Sequence, residues 1–352
     1  MVASILEQFG LNINDYTVRQ FDSGLINKTY KVSNAGKSYI LQKINDHVFR
    51  KPEDIDKNLL CLKKYLSVHY PDYLFVAPLA TPVGVTLIKT DSGYFRLFDY
   101  VDGSHTIINV NTPEEACEAA RQFGKFSRLL SGFNADELAY TLPDFHNLAL
   151  RYEQFTKALA HADNERLEKA REAITFIKAN ADIVHTYNKI LADKSIPHRV
   201  IHHDTKISNV LFDIENKGLC VIDLDTVMPG FYISDVGDMM RTYLSPANEE
   251  ETDLDKVIIR KDFFKAIYKG YLSEMGPALT EAEKSLFIYS GEFIIYMQAI
   301  RFLADYLNND IYYGAKYPEH NLNRARNQIK LLQQYKAAGE DLKTIINETK
   351  VF

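Results

Sequence analysis

The chain has 352 residues with 46% hydrophobic content, which supports a substantial core and exceeds the usual length of a single domain. Its 41 basic and 47 acidic residues give a formal charge of −6 without a long basic block, so nucleic-acid binding is not expected. Three scattered cysteines and the lack of a membrane-length apolar run disfavour a disulfide framework, a zinc site and a membrane span, so we expect a cytoplasmic globular protein.

The N-terminal part of the chain predicts a small lobe built on antiparallel strands. Alternating apolar runs bounded by turn residues indicate strands, and apolar residues at helical spacing indicate one long helix among them. After a short helix, the expected elements are strands over 16–21, 28–32 and 38–44, a helix over 51–69, and strands over 85–89 and 94–101. We therefore expect a first, nucleotide-binding lobe over residues 1–102.

The remainder of the chain, residues 103–352, is chiefly helical in its pattern. Thr112-Pro113-Glu114-Glu115 has the spacing of a capping box with a proline in the first turn, and predicts a helix start. Within 199–227 the helical period fails, and two apolar runs around a turn predict a short hairpin. The expected class is α+β, with a small antiparallel-sheet lobe and a larger helical lobe that carries the catalytic loop and the acceptor site.

Polar residues flank both ends of the predicted hairpin. Metal-dependent phosphoryl transfer needs a carboxylate that orients or deprotonates the acceptor hydroxyl, oxygen ligands for Mg²⁺, and a cation at the transferring group. The residues that fit these roles are Asp204 as the base, Asn209 and Asp223 as metal ligands, and Lys206 as the cation. The sequence thus predicts a kinase-type site.

An ordinary structural explanation competes for each of these residues. A short H-x-D pattern followed by an asparagine also arises by chance, with Asp204 as a loop cap and Asn209 as a turn former. The apolar hairpin and the following Ile-Asp-Leu-Asp favour the catalytic interpretation. Asp225 stays open between a contact to metal or substrate and a satisfied loop carboxylate.

Two further residues are expected to support the loop. His202 is assigned to holding the loop backbone, and His203 has no assigned role. Asp235 is expected to accept backbone N–H groups from the catalytic loop. Asp238 and Arg241 are expected to be helix-start charges in a local ion pair.

The first lobe offers weaker candidates for nucleotide contacts. The segment 22–27 joins two strands and could cover phosphates with its N–H groups, although an ordinary hairpin loop explains it nearly as well. Strand alternation lets only one of Gln42 and Lys43 face the ligand, and a solvated edge lysine is the competing explanation. The cofactor candidates are Ser23, Gly24, Asn27, Lys43 and Tyr100.

The segment IHHDTKISNVLFD, followed by VIDLDT, resembles the aminoglycoside phosphotransferase and choline kinase superfamily, which is related to protein kinases. Within it, VIDLDTVMPG, LPDFHN, RFLADYLNNDIYY and YPEHN are similar to segments of the N-acetylhexosamine 1-kinases. The resemblance covers essentially the whole chain and implies a protein-kinase-like, two-lobed fold. A glycine-rich loop of the protein-kinase type is absent, which leaves open how phosphates are held.

The resemblance implies transfer of a phosphoryl group from ATP to the anomeric hydroxyl of N-acetylglucosamine or N-acetylgalactosamine, with Mg²⁺ at Asn209 and Asp223. It also implies that Arg301 and Tyr312 contact the sugar, where the residues alone suggest ordinary core or surface positions. We expect a monomer. The alternatives are a kinase of another sugar, an amino alcohol or an aminoglycoside, and a nucleotide-binding module without turnover.

Overall fold

The computed structural model describes residues 2–21 and 26–350. Its contacts divide the chain into two compact units that are each discontinuous in sequence. The first comprises Met1–Thr106, Leu129–Pro143 and Asn209–Pro229, and the second comprises Ile107–Arg128, Asp144–Ser208 and Gly230–Phe352. No helix in the described part of the chain has the length and apolarity needed to cross a membrane.

A five-stranded antiparallel sheet forms the centre of the first unit, in the order β1-β2-β3-β5-β4. The unit begins with helix α1, and its second helix, α2, lies between the third and fourth strands in the chain. The elements are α1 (Val2–Gln8), β1 (Thr17–Gln20), β2 (Lys28–Ser33), β3 (Ser38–Ile44), α2 (Pro52–His69), β4 (Ile88–Thr90) and β5 (Gly93–Asp99).

One face of this sheet packs on α1 and forms a small core. Leu41 of β3 and Phe95 and Leu97 of β5 are buried there with Ile5 and Leu6 of the helix. Because side chains alternate along a strand, the residues between these positions point to the other face of the sheet. This alternation decides which polar residues of β3 and β5 lie together.

A hairpin also belongs to the first unit. It consists of β7 (Val210–Phe212) and β8 (Gly218–Val221), paired in antiparallel register with Val210 opposite Val221. Asn216 adopts a positive φ of 59° in the turn, a conformation that asparagine tolerates better than most residues. The hairpin expected from the sequence is therefore confirmed.

The second unit is mainly helical and surrounds the long helix α11. This helix is buried along most of its length, and its most extensive contacts are with α12, α8 and α4. Gly237 of α8 leaves no room for a Cβ beside Ser290 of α11, so a glycine is required at that close crossing. The helices are α3 (Pro113–Leu129), α4 (Leu148–His161), α5 (Asn164–Lys169), α6 (Arg171–Ala179), α7 (Asp182–Ala192), α8 (Ile233–Tyr243), α9 (Lys261–Met275), α10 (Glu281–Ser285), α11 (Phe287–Leu307), α12 (His320–Ala337) and α13 (Gly339–Glu348).

The expected element order of the first unit is confirmed, with small shifts in bounds. The fourth strand is Ile88–Thr90, later than the expected 85–89, because Thr86 and its neighbours form an irregular segment in which the Thr86 hydroxyl donates to Asp56. Two three-residue strands, β6 (Arg199–Ile201) and β9 (Met228–Gly230), were not expected. The first segment of the first unit ends at Thr106, four residues after the boundary expected at 102. The sequence analysis did not expect that 129–143 and 209–229 would also belong to this unit.

Candidate active site

The segment after β6 carries the carboxylate expected to act as a base. Asp204 is half-buried, and Nζ of Lys206 lies 2.9 Å from its Oδ1 and 3.2 Å from its Oδ2. The lysine side chain is 40% exposed, so its ammonium group can reach a ligand as well as the carboxylate. The structure thus brings the two catalytic candidates together as an ion pair.

This loop is fastened to the first turn of helix α8. The Asp235 carboxylate accepts hydrogen bonds from the N–H of His202 at 3.1 Å and from the N–H of His203 at 2.7 Å. The Asp235 side chain is fully buried, so the two donors stabilise a carboxylate that would otherwise lack solvation. These contacts orient the backbone that leads into Asp204, and the catalytic importance of Asp235 remains a proposal.

The residue after Asp204 is held by the same helix. The N–H of Thr205 donates to Oδ2 of Asp238 at 2.8 Å, and its hydroxyl donates to the carbonyl of Asp235 at 2.8 Å. The hydroxyl of Tyr243 donates to the carbonyl of Thr205 at 2.6 Å. Asp204 is therefore flanked on both sides by backbone groups with fixed partners, which restricts where its carboxylate can point.

Asp238 lies in the middle of α8 and Arg241 in its last turn, whereas the sequence analysis expected both charges at the start of a helix. The Arg241 guanidinium contacts Oδ1 of Asp238 at 3.1 Å and Oε2 of Glu249 at 3.0 Å. Burial raises the pKa of the Asp238 carboxyl, and the nearby Arg241 opposes that effect. The local ion pair is observed, and Asp238 also serves the loop through Thr205.

The two histidines of the loop are buried and play different structural parts. Nδ1 of His202 faces the N–H of Asp204 at 3.4 Å, and its ring packs edge-on against Phe123. His203 has a positive φ of 66°, with Nδ1 3.1 Å from the carbonyl of Ile201. A Cβ at Gly230 would lie 2.6 Å from Nε2 of His203, so the ring occupies space that only a glycine leaves free.

The charges of the loop are shifted by burial and by their neighbours. Burial raises the pKa of Asp235 to about 7, although its two N–H donors oppose the change. For Lys206, burial by itself would lower the pKa, but the carboxylates of Asp204 and Asp238 outweigh it and raise the pKa. Lys206 is therefore a permanent cation beside Asp204 at physiological pH.

In the first unit, the expected metal ligands lie at one end of the hairpin. The N–H of Ile222 donates to the carbonyl of Asn209 at 2.8 Å, which continues the ladder that starts at Val210 and Val221. Asp223 follows directly, is exposed, and has a left-handed backbone with φ 58° and ψ 54°. The Asn209 side chain is buried.

These two residues suit a hard cation. An amide oxygen and an exposed carboxylate are oxygen donors, and Mg²⁺ is commonly bound by one or two carboxylates together with the phosphates of its nucleotide. Over the described ranges, no group of three histidine, cysteine or acidic side chains is arranged to hold a metal ion. Asn209 and Asp223 thus have the ligand chemistry of Mg²⁺ bound together with a nucleotide, and their role as metal ligands is a proposal.

A buried polar network links the sheet to the residues after the hairpin. Nη2 of Arg96 lies 2.5 Å from Oδ1 of Asp225, and Nδ2 of Asn27 donates to Oδ2 of Asp225 at 2.7 Å. Arg96 also donates to Oε1 of Gln42 through Nε at 3.2 Å and Nη2 at 2.9 Å. Asp225 is 1% exposed and is held by Arg96 and Asn27, which favours the second alternative considered for it, a buried carboxylate paired within the protein; a contact to metal or substrate stays a proposal.

The remaining nucleotide candidates are spread over the sheet. Lys43 lies opposite Phe95 in the β3–β5 pair, on the same face of the sheet as Leu41. Gln42 lies opposite Arg96 on the other face. Tyr100 is half-buried beneath Nζ of Lys31, which lies 3.7 Å from its ring centre. The candidates Ser23 and Gly24 lie outside the described residues.

A cavity of about 430 Å³ lies in the second unit between α4, α11 and the segment that follows α11. It brings together Arg301 and Tyr312, the two residues expected to contact a sugar, and Arg151 from α4. The guanidinium carbon of Arg301 lies 5.7 Å from the ring centre of Phe145, and the Phe145 ring stacks on that of His146. The ring centres of His146 and His203 are 5.3 Å apart. Side-chain packing thus connects this cavity to the loop that carries Asp204.

The segment that bears Tyr312 is positioned by a carboxylate of α11. Asp305 is buried and accepts hydrogen bonds from the N–H of Tyr312 at 2.7 Å and of Tyr313 at 2.9 Å. Asn321 of α12 donates to the same carboxylate at 3.1 Å. The Tyr312 side chain is 75% exposed, so its face is available to a ligand.

Three of these positioning residues were missed in the sequence analysis. Arg96 is the one basic residue among the apolar residues of β5. A cation in such a strand indicates a buried partner, so the sequence could have revealed it. Asp305 is likewise a lone acid near the end of an apolar helix. Arg151 carried no comparable signal, because charged residues are common on its helix.

Solved structures share this architecture across nearly their whole lengths. A microcompartment-associated aminopropanol kinase is 15% identical, with 97% of each chain covered and a TM-score of 0.68. A spectinomycin phosphotransferase in complex with ADP and spectinomycin is 13% identical, with 96% of this chain and 98% of that chain covered and a TM-score of 0.60. A choline kinase from Cryptosporidium parvum Iowa II is 15% identical, with 98% and 97% covered and a TM-score of 0.58.

At such identities the likeness shows the fold alone. The fold is protein-kinase-like, with a small antiparallel sheet in one part and mainly helices in the other, so the expected fold class is confirmed. A family model described as the phosphotransferase enzyme family matches residues 17–259, more than half of the chain. The matched range contains Asp204, Asn209 and Asp223. The chain therefore belongs to the phosphotransferase enzyme family.

Proposed function

We propose that the protein is an ATP-dependent kinase that phosphorylates the anomeric hydroxyl of N-acetylhexosamines, with N-acetylglucosamine and N-acetylgalactosamine as acceptors. The main observation in support is the ion pair of Lys206 Nζ and Asp204 Oδ1 at 2.9 Å. It lies on a loop that is hydrogen-bonded to Asp235 of α8. Phosphoryl transfer depends mainly on positioning and on charge stabilisation, and such a fixed loop provides both.

In the proposed reaction, Asp204 accepts the proton of the acceptor hydroxyl. An anomeric hydroxyl is more acidic than an ordinary alcohol, so an aspartate can take its proton late in the transfer. Lys206 supplies a positive charge for the oxygens of the transferring phosphoryl group. Mg²⁺, held by Asn209 and Asp223, would neutralise charge on the nucleotide phosphates.

The acceptor is proposed to occupy the cavity lined by Arg301 and Tyr312. The arginine offers several donors to ring hydroxyls, and the exposed tyrosine offers an aromatic face and a hydroxyl. Support comes from the resemblance of this segment to N-acetylhexosamine 1-kinases and from the side-chain path through Phe145 and His146 to the catalytic loop.

On the nucleotide side, we propose contacts on the sheet face that carries Gln42 and Arg96. Lys43 lies on the face that packs on α1, where Phe95 and Leu97 are buried. The network of Arg96 and Asn27 around Asp225 fixes the chain two residues after Asp223. We expect this network to position the proposed metal ligand.

A second candidate is a kinase of the same family with an amine-bearing acceptor. Its support is that the matched structures include an aminopropanol kinase and choline kinases. Both candidates use the same catalytic residues and differ in the chemistry of the acceptor cavity.

The experiment that tests the proposal is phosphorus NMR of the purified protein with MgATP and one acceptor per tube. The acceptors are N-acetylglucosamine, N-acetylgalactosamine, galactose, choline, 3-aminopropanol and kanamycin. A hexosamine 1-phosphate signal that is lost in Asp204→Asn is expected. Phosphorylation of choline or kanamycin alone would replace the proposal by the second candidate, and ATP binding without any product would support a binding module.

A further inference from the structure

Two guanidinium groups, those of Arg151 and Arg301, line the cavity of the second unit. Arg301 donates to the side-chain oxygen of Gln298 at 3.1 Å, and Arg151 donates to Gln154 at 3.0 Å and to the carbonyl of Asp144 at 2.9 Å. All of these acceptors are uncharged. Within the described residues, neither arginine lies within 4.0 Å of a carboxylate oxygen, although the negative charge of Asp144 acts on Arg151.

The other charges at the cavity do not cancel the two arginines. The Asp305 carboxylate is already occupied by the N–H groups of Tyr312 and Tyr313 and by Asn321. Lys157 is exposed and forms its own ion pair with Glu153 at 2.6 Å. The lining therefore keeps an excess of positive charge.

The hydrogen bonds of Arg151 do not satisfy its whole guanidinium group. Its Nε is buried and has no hydrogen-bond partner among the described residues. Burial and the like charge of the neighbouring Arg301 lower the pKa of its guanidinium, and the charge of Asp144 opposes them only in part. Because both arginines line the cavity, an oxygen-rich group that enters it can accept hydrogen bonds from them and offset their like charges.

We propose that Arg151, acting with Arg301, is a specificity-determining residue that makes the acceptor cavity electropositive, so that it takes sugars with uncharged or acidic substituents and rejects acceptors that carry an ammonium group. This inference rests on the proposed acceptor site and names its substrate class. An ammonium group brought beside two unpaired guanidiniums meets repulsion that an N-acetyl group does not.

The test compares two acceptors that differ in the charge at one nitrogen, N-acetylglucosamine and glucosamine. The measurement is kcat/KM for each at several pH values, with ADP release followed at fixed MgATP. The wild type is expected to have the higher kcat/KM with N-acetylglucosamine. The ratio of the two kcat/KM values should fall as rising pH removes the proton of the glucosamine amine. Rejection by shape alone would not change with pH.

Variants at position 151 isolate the charge. Arg151→Gln is expected to lower the ratio of kcat/KM for N-acetylglucosamine to that for glucosamine about tenfold. Arg151→Glu should lower this ratio further, and Arg151→Lys should retain it. Arg171→Gln removes an exposed arginine of α6 and serves as the matched control with an unchanged ratio. Melting temperatures identify a variant that fails to fold, and the pH dependence of the wild-type preference then carries the test.

The outcomes separate this inference from the proposed function. Equal use of N-acetylglucosamine and glucosamine, or ratios unaffected by Arg151→Gln and Arg151→Glu, would overturn the inference and leave the kinase assignment intact. Use of another neutral acceptor with rejection of choline and 3-aminopropanol would overturn the N-acetylhexosamine proposal and support the inference. Turnover of choline or 3-aminopropanol alone would overturn both.

Discussion

The ammonium group of Lys206 lies 2.9 Å from Oδ1 of Asp204, so the carboxylate proposed as the base is paired with the cation proposed to meet the phosphoryl group. The pair sits on a loop whose backbone is bonded to Asp235, Asp238 and Tyr243. A proton acceptor and a positive charge are thus fixed together before any ligand arrives, which reduces the reorganisation needed during transfer.

Replacing the proposed base should remove activity without unfolding the protein. Asp204→Asn keeps the size of the side chain but cannot accept the proton, so kcat should fall by about 10² to 10⁴. ADP release under saturating MgATP measures this, and circular dichroism checks the fold. Asp262→Asn, an exposed aspartate at the start of α9, is the control with unchanged kcat. A near-normal rate in Asp204→Asn would exclude its role as the base.

Removing the Asp223 carboxylate should weaken the dependence on Mg²⁺. Asn209 alone is a poor ligand for a hard divalent cation, so Asp223→Ala should raise the Mg²⁺ concentration for half-maximal activity by about tenfold or more. The control is Asn216→Ala, because both changes place alanine at a positive φ, one in the turn of the hairpin and the other just after its second strand. An identical Mg²⁺ titration for the wild type and Asp223→Ala would remove Asp223 from the site.

Breaking the buried Arg96–Asp225 pair should destabilise the protein strongly. Both side chains are at most 2% exposed, so Arg96→Met leaves an uncompensated buried carboxylate and should lower the free energy of unfolding by about 3–5 kcal/mol. Urea unfolding measures the change. Lys37→Met breaks the exposed pair with Asp99 on the same sheet and should cost no more than about 1 kcal/mol. Equal losses in the free energy of unfolding for the two variants would show that the buried pair contributes no more to stability than the exposed one.

The buried Asp235 should make stability depend on pH. Its folded pKa of about 7 lies above the ordinary aspartate value, so the folded state binds this proton more tightly than the unfolded state does. The resulting stabilisation is complete below about pH 4 and is lost as the pH rises toward 7. Asp235→Asn cannot titrate, so its free energy of unfolding should lack this decline, which amounts to up to about 4 kcal/mol.

Urea unfolding of the wild type and Asp235→Asn at half-unit steps from pH 4.5 to 8 tests this. Asp262→Asn should give a curve parallel to the wild type, because its side chain is exposed. If the Asp235→Asn curve were also parallel, the titration of Asp235 would not be coupled to folding.

Local patterns in the sequence were sufficient for the fold class and the hairpin. Period-two runs predicted the sheet of the first unit, and the failure of the helical period around Val210 marked the hairpin among helices. These signals are local, because each depends on neighbours along the chain. The segmentation of the two units depends on contacts between distant segments and was not foreseen beyond Thr106.

The same reasoning explains which site residues were missed. Asp204, Asn209 and Asp223 belong to one short motif, so their types and spacing were readable. Arg96 meets Asp225 across 129 positions of the chain, and Arg151 meets Arg301 only through the packing of α4 on α11. Such pairings follow from tertiary structure, and spacing in the sequence does not reveal them.

Gly230 has no functional group, yet its missing Cβ makes room for the ring of His203, the residue before Asp204. A saturation mutagenesis screen in which growth requires the protein to make its product should therefore find position 230 as intolerant as the proposed catalytic positions. Even Gly230→Ala would push the imidazole against the backbone turn at φ 66° and displace the loop. Inactivating changes in this enzyme need not touch a reactive atom.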